Sequence, residues 1–148
     1  MPYLRITCPE IDASQRPVIA RALTEAVVEL FFDRRARMTR DELRDRTTVH
    51  FMPYADAELF VGGRTPRERG TPDVTVELSD WSMSVGKQRR VARALTPLVA
   101  KLFRVPADEI DNVNFRFHSY PPTDFAVGGT LLSDRVPRIG RFMKRFAS

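Results

Sequence analysis

Ala20-Arg-Ala-Leu-Thr-Glu-Ala-Val-Val-Glu-Leu-Phe31 returns further along the chain as Ala92-Arg-Ala-Leu-Thr-Pro-Leu-Val-Ala-Lys-Leu-Phe103. Two flanking segments return in the same order. Leu59-Phe60-Val61-Gly62-Gly63 matches Phe125-Ala126-Val127-Gly128-Gly129, and Pro2 with its strand matches Thr71-Pro72-Asp73-Val74-Thr75-Val76-Glu77-Leu78. Three matches in one order mark an internal duplication. The fold is thereby confined to those that two copies of one small unit can build. The repeats run from about 2 to 64 and from about 72 to 132, within a single domain of 148 residues.

Each copy reads as strand, helix, strand and glycine turn. Residues 3–8, 47–53, 73–78 and 113–119 are rich in β-branched and apolar residues. In the first helix Ile19, Leu23, Ala26, Val27 and Leu30 fall on one face. In the second, Val91, Leu95, Leu98, Val99 and Leu102 do the same. Ser14 and Ser84 are candidate N-caps, and Pro97 is expected to kink the second helix.

A strand–helix–strand unit pairs its strands in parallel through a right-handed crossover. The predicted fold class is therefore α/β (α+β in some schemes). Duplicated β-α-β units form one four-stranded sheet with two helices on one face, plus short edge strands and a C-terminal helix. The other face of the sheet is left bare, and oligomerisation would cover it. The tail from about 134 to 146 alternates apolar Val136, Ile139, Phe142 and Phe146 with Arg138, Arg141, Lys144 and Arg145. It reads as a basic amphipathic helix that packs on the body or on a neighbouring subunit, rather than on a membrane.

Composition narrows the function classes. With 43% hydrophobic and 29% charged residues the chain is that of a soluble globular protein. No apolar run spans a bilayer and no signal-peptide order is present, so a cytoplasmic location is expected. Cys8 is the only cysteine and His50 and His118 the only histidines, a poor supply for a metal site. The net charge of +5 admits nucleic acid as a partner. However, Arg34, Arg35, Arg37, Arg40, Arg44 and Arg46 interleave with Asp33, Asp41, Glu42 and Asp45, which reads as a salt-bridged surface. Nucleic acid is thus not the expected partner. Arginine's planar fork suits small carboxylates better.

Pro2 is the candidate for the chemistry. Removal of Met1 leaves it as an amino-terminal secondary amine, able to act as acid, base or nucleophile; the alternative is a small residue at a frayed end. With Pro2 on a strand, two β-α-β units and Phe125-Ala126-Val127-Gly128-Gly129, the chain resembles the tautomerase superfamily. The last segment is similar to the Phe-Gly-Ile-Gly-Gly turn of 4-oxalocrotonate tautomerase. Tandem units resemble macrophage migration inhibitory factor, cis-3-chloroacrylic acid dehalogenase and malonate semialdehyde decarboxylase. The resemblance implies a trimer without cofactors, with pockets near subunit boundaries, acting through Pro2 on a small anionic keto or enol acid. Burial and nearby arginine would lower the amine's pKa and make it a base. Pro72 occupies the same place in the second unit, but its nitrogen is an amide.

The resemblance places the pocket's aromatic residue at Phe125 and its strand residues at Asn114 and Arg116. The cation after the first helix falls near Arg34 or Arg35. Strand alternation independently puts Asn114, Arg116 and His118 on one face. His50 is a candidate acid–base helper, or a hydrogen-bonded structural histidine. The dehalogenase and decarboxylase carry an arginine pair after the third strand, where this chain has Ser79-Asp80-Trp81-Ser82. Dehalogenation, hydration or decarboxylation of a small carboxylate is therefore an alternative reading, as is a non-catalytic binding protein of the same fold.

Overall fold

The computed structural model describes residues 1–135. The expected basic helix over 134–146 lies outside them except for its first two residues, which fall in a short helical turn at Leu132–Arg135.

Four strands form one sheet: β1 (Tyr3–Pro9), β2 (Thr48–Tyr54), β3 (Val74–Trp81) and β4 (Val113–Tyr120), in the order β2-β1-β3-β4. β1 and β2 run parallel, as do β3 and β4, while β1 and β3 are antiparallel and join the two units at the centre. Helix α1 (Gln15–Phe31) makes the first crossover, followed by the short helix α2 (Arg40–Asp45). A second short helix, α3 (Pro66–Arg69), precedes β3, and α4 (Val85–Leu102) makes the second crossover.

Period-two alternation explains the core. Leu4, Ile6 and Cys8 of β1 and Val74, Val76 and Leu78 of β3 point to the helix side and are fully buried. Ile19, Leu23, Val27, Val28 and Phe31 of α1 and Val91, Leu95 and Val99 of α4 close over them. Ala26, Leu30, Leu98 and Leu102 are partly buried against that cluster.

The two units also share a turn. Gly62 and Gly63 have φ of 60° and 75°, and Gly128 and Gly129 have φ of 56° and 79°. Positive φ at both central positions is what a tight two-residue hairpin requires. The first closes the Val61–Arg64 bridge; the second joins two-residue strands β5 (Ala126–Val127) and β6 (Thr130–Leu131).

One local expectation is corrected. Ser14 stands at the helix start with αR backbone angles and makes no capping bond; the Asp12 carbonyl accepts from Gln15 N instead. Ser84 does cap, accepting from Lys87 N at 3.1 Å. Pro97 lies inside α4 on its exposed side, and the helix runs on through it to Leu102.

Candidate active site

The amino terminus enters the sheet at the end where β3 and β4 finish. Thr48 N donates to the Pro2 carbonyl at 3.0 Å, fixing Pro2 at the head of β1. Alternation from exposed Tyr3 and buried Leu4 puts Pro2 on the helix side, where it is buried. On the antiparallel neighbour the same side carries Val74, Val76, Leu78 and then Asp80.

Asp80 is the acidic end of an otherwise apolar stripe and is only 1% exposed. The Met1 ammonium donates to its Oδ1 at 2.6 Å. Directly after Trp81 the chain reverses at Ser82, whose φ of 52° is a left-handed value that few side chains adopt. Ser82 N donates to the Tyr120 carbonyl at 3.0 Å, which ties the turn to β4. The reversal starts α4 beside the amino terminus.

Lys87 enters the same region from the first turn of α4. It occupies the position before Val91, Leu95 and Val99 on the buried stripe and is 8% exposed. Its Nζ sits 4.0 Å from the centre of the Phe31 ring, a cation–π contact. Burial pushes its ammonium below the usual lysine value, against the pull of Asp80; Arg90 pushes the same way as burial and Asp33 opposes it. Tyr120 ends β4 in register with Trp81, its hydroxyl pushed up to about 12 by burial and then by the negative charge of Asp80. Phe125 lies beside Tyr120, with ring centres 5.5 Å apart.

Arg34 and Arg35 lie exposed in the turn after α1, next to the Asp33 whose charge Lys87 feels. Nearer still is Arg46, whose Nη1 stands 3.9 Å from the Met1 sulfur. Two other arginines of that cluster are engaged: Arg40 pairs with Glu29, and Arg44 with Glu25 and Asp41.

The remaining sequence-predicted residues lie elsewhere. Asn114, Arg116 and His50 are on the face of the sheet without helices, away from Pro2's side of the same chain. There Arg116, Glu77, Arg5 and His50 stand in one row across the four strands. Glu77 lies 4.0 Å from Arg5 Nε and 3.5 Å from His118 Nε2. His50 Nδ1 shares a hydrogen bond of 2.9 Å with the Tyr3 hydroxyl. One chain therefore leaves Asn114, Arg116 and His50 on its bare face, away from its own amino-terminal end.

The pseudo-symmetric place in the second unit is a cleft of about 450 Å³ lined by Pro72, Pro9, Glu10, Tyr54 and Arg67, among others. Tyr54 there donates to the Asp73 carbonyl at 2.7 Å. Among the described residues no group of three or more His, Cys, Asp or Glu is placed to hold a metal ion. No described helix is long and apolar enough to cross a membrane.

No protein-family model and no curated protein matches the sequence. Solved structures do. A protein inactivated by 2-oxo-3-pentynoate aligns over 91% of this chain and 99% of its own, at 15% identity and a TM-score of 0.72. A wild-type fused 4-OT described as a symmetric trimer aligns over the same shares at 17% identity and a TM-score of 0.72. N1, a member of the cis-3-chloroacrylic acid dehalogenase family, covers 99% of this chain and 91% of its own, at 19% identity and a TM-score of 0.67. The chain shares the fold of these structures over most of its length.

Proposed function

We propose that this chain is a cofactor-free tautomerase that uses the amine of Pro2, exposed by loss of Met1, to move a proton on a small keto or enol carboxylic acid. The observation that carries the reading is the placement of the amino terminus. It is held in a partly buried site beside an ionised side chain, not at a frayed end. A proton shuttle needs one group that both gives and takes a proton within hydrogen-bond reach of the reacting carbon. A secondary amine on a fixed strand is such a group.

The space now filled by Met1, whose side chain is only 21% exposed, becomes the place for substrate. Arg46 stands at its far end and would hold the carboxylate. Phe125 and Tyr120 would wall the opposite side. The likeness to a fused 4-OT trimer supports a homotrimer. In that assembly the bare sheet face would meet a neighbour, and Asn114, Arg116 and His50 would serve a pocket at the boundary rather than their own chain's Pro2.

Because the first comparison structure was inactivated by 2-oxo-3-pentynoate, that electrophile is the natural probe. Conjugate addition of an amine to its alkyne needs no leaving group. One adduct per chain, mapped to the nitrogen of Pro2, is the expected result. Retention of Met1, or modification only at lysine or Cys8, overturns the reading.

A further inference from the structure

The duplication gives the sheet two related ends, and only one of them holds the amino terminus. The repeat equates Ile6 with Val76, and the register pairs these same two residues across β1 and β3. The two-fold relating the units therefore passes between them. It carries Pro2 onto Pro72 and, by the same offset, Asp80 onto Glu10 at the opposite end. The cleft of about 450 Å³ at that end is of the size that small-molecule sites have. We propose that this cleft is a second binding site, taking an α-amino acid with an aromatic side chain and holding it without catalysis.

Its walls carry no reactive group. The Pro72 nitrogen is an amide and takes no proton. The Tyr54 hydroxyl donates to the Asp73 carbonyl at 2.7 Å and accepts from Asp73 N at 3.1 Å. Burial above all pushes that hydroxyl up to about 12, so it keeps its proton at neutral pH. Tyr54 is thus a fixed wall. Pro9, Pro66 and Pro72 supply the other apolar surfaces, whose rings lose no rotamer freedom when a ligand packs on them.

The rim carries both signs of charge. Glu10 and Asp56 are exposed carboxylates and Arg67 an exposed guanidinium, and all three line the cleft. Asp56 Oδ1 accepts from Arg67 N at 3.2 Å, which holds those two residues together. Among the described residues none of the three side chains is in an ion pair, unlike Arg40 and Arg44.

This charge pattern selects the ligand. A zwitterion sets its carboxylate on Arg67 and its ammonium between Glu10 and Asp56. A keto acid would bring a third carboxylate to a rim with one cation, and like charges repel. A plain amine would leave Arg67 unmatched. The two sites are also separate, because the seven residues of β1 space them by about 20 Å. Binding here does not depend on Pro2 being reactive.

The test is a ¹⁵N–¹H NMR titration of the full chain with L-phenylalanine, phenylpyruvate and phenethylamine, which share a ring and differ in charge. L-Phenylalanine is expected to shift the amides of Ala55, Gly70 and Thr71 saturably, with half-saturation at about 1 mM or below. The other two compounds should need at least about threefold more. Glu10→Gln and Arg67→Ala alter exposed side chains and should each weaken L-phenylalanine by a similar factor. Pro2→Ala should leave its shifts intact, and their loss in that variant would overturn the proposal. Phenylpyruvate binding the cleft as tightly as L-phenylalanine overturns it in favour of an anion site. Phenethylamine doing so overturns it in favour of a cation site. Absence of shifts at the three amides, or affinity unchanged in both rim variants, overturns it outright.

Discussion

At the scale of single residues, the molecule places three polar or ionisable groups where the pattern of neighbours calls for apolar ones. Asp80 ends the stripe Val74, Val76, Leu78, Lys87 begins the stripe Val91, Leu95, Val99, and Cys8 closes Leu4, Ile6. Cys8 behaves as a small hydrophobe, with burial raising its thiol from the ordinary 9.0 to about 11. The folded chain keeps that proton while the unfolded chain sheds it. Cys8 therefore favours folding fully below pH 9, and this is lost as pH climbs from 9.0 to about 11. Cys8→Val should flatten the fall in stability across that window by up to about 1.4 kcal/mol per pH unit, read from urea unfolding at each pH. Arg46 gives a second residue-level test. If it holds the substrate carboxylate, Arg46→Ala should raise KM about ten- to a hundredfold, the size of a lost charged hydrogen bond, and change kcat far less. An unchanged KM places the carboxylate elsewhere.

At the scale of elements, the duplicated units do not use equivalent devices. Ser84 caps α4, whereas Ser14 sits at the corresponding start with helical backbone angles and no capping bond. Ser84→Ala should therefore cost about 1 kcal/mol in chemical unfolding, and Ser14→Ala close to nothing. Equal losses would contradict the cap assignment. The four strands, both crossover helices and the two glycine hairpins were all legible in the sequence, because periodicity and positive-φ turns are local properties. Ser14 was not, since a cap depends on the dihedral angle of the preceding loop. Asp80 and Lys87 left a signal that alternation alone could have found: each is an ionisable residue in register with a buried stripe. Their partnership was not legible, because it depends on how α4 restarts after Ser82.

At the scale of the whole molecule, the sheet has one face packed on helices and one carrying His50, Arg5, Glu77 and Arg116 in a row. Residue type and alternation put Asn114, Arg116 and His118 together. What they cannot give is which face the helices take, and the structure puts those residues opposite Pro2's side. A homotrimer would bring that face against neighbours, so light scattering should return about three times the 17.0 kDa chain mass. Arg5→Glu sets a like charge across the strand pair from Glu77 and should shift the protein toward monomer; a monomeric wild type would contradict the assembly. The central claim, catalysis by an amino-terminal amine, is tested most directly by kcat/KM for ketonisation of phenylenolpyruvate, wild type against Pro2→Ala, both with Met1 removal verified. The account predicts a loss of about a hundredfold or more in Pro2→Ala, and equal rates in the two proteins would contradict it.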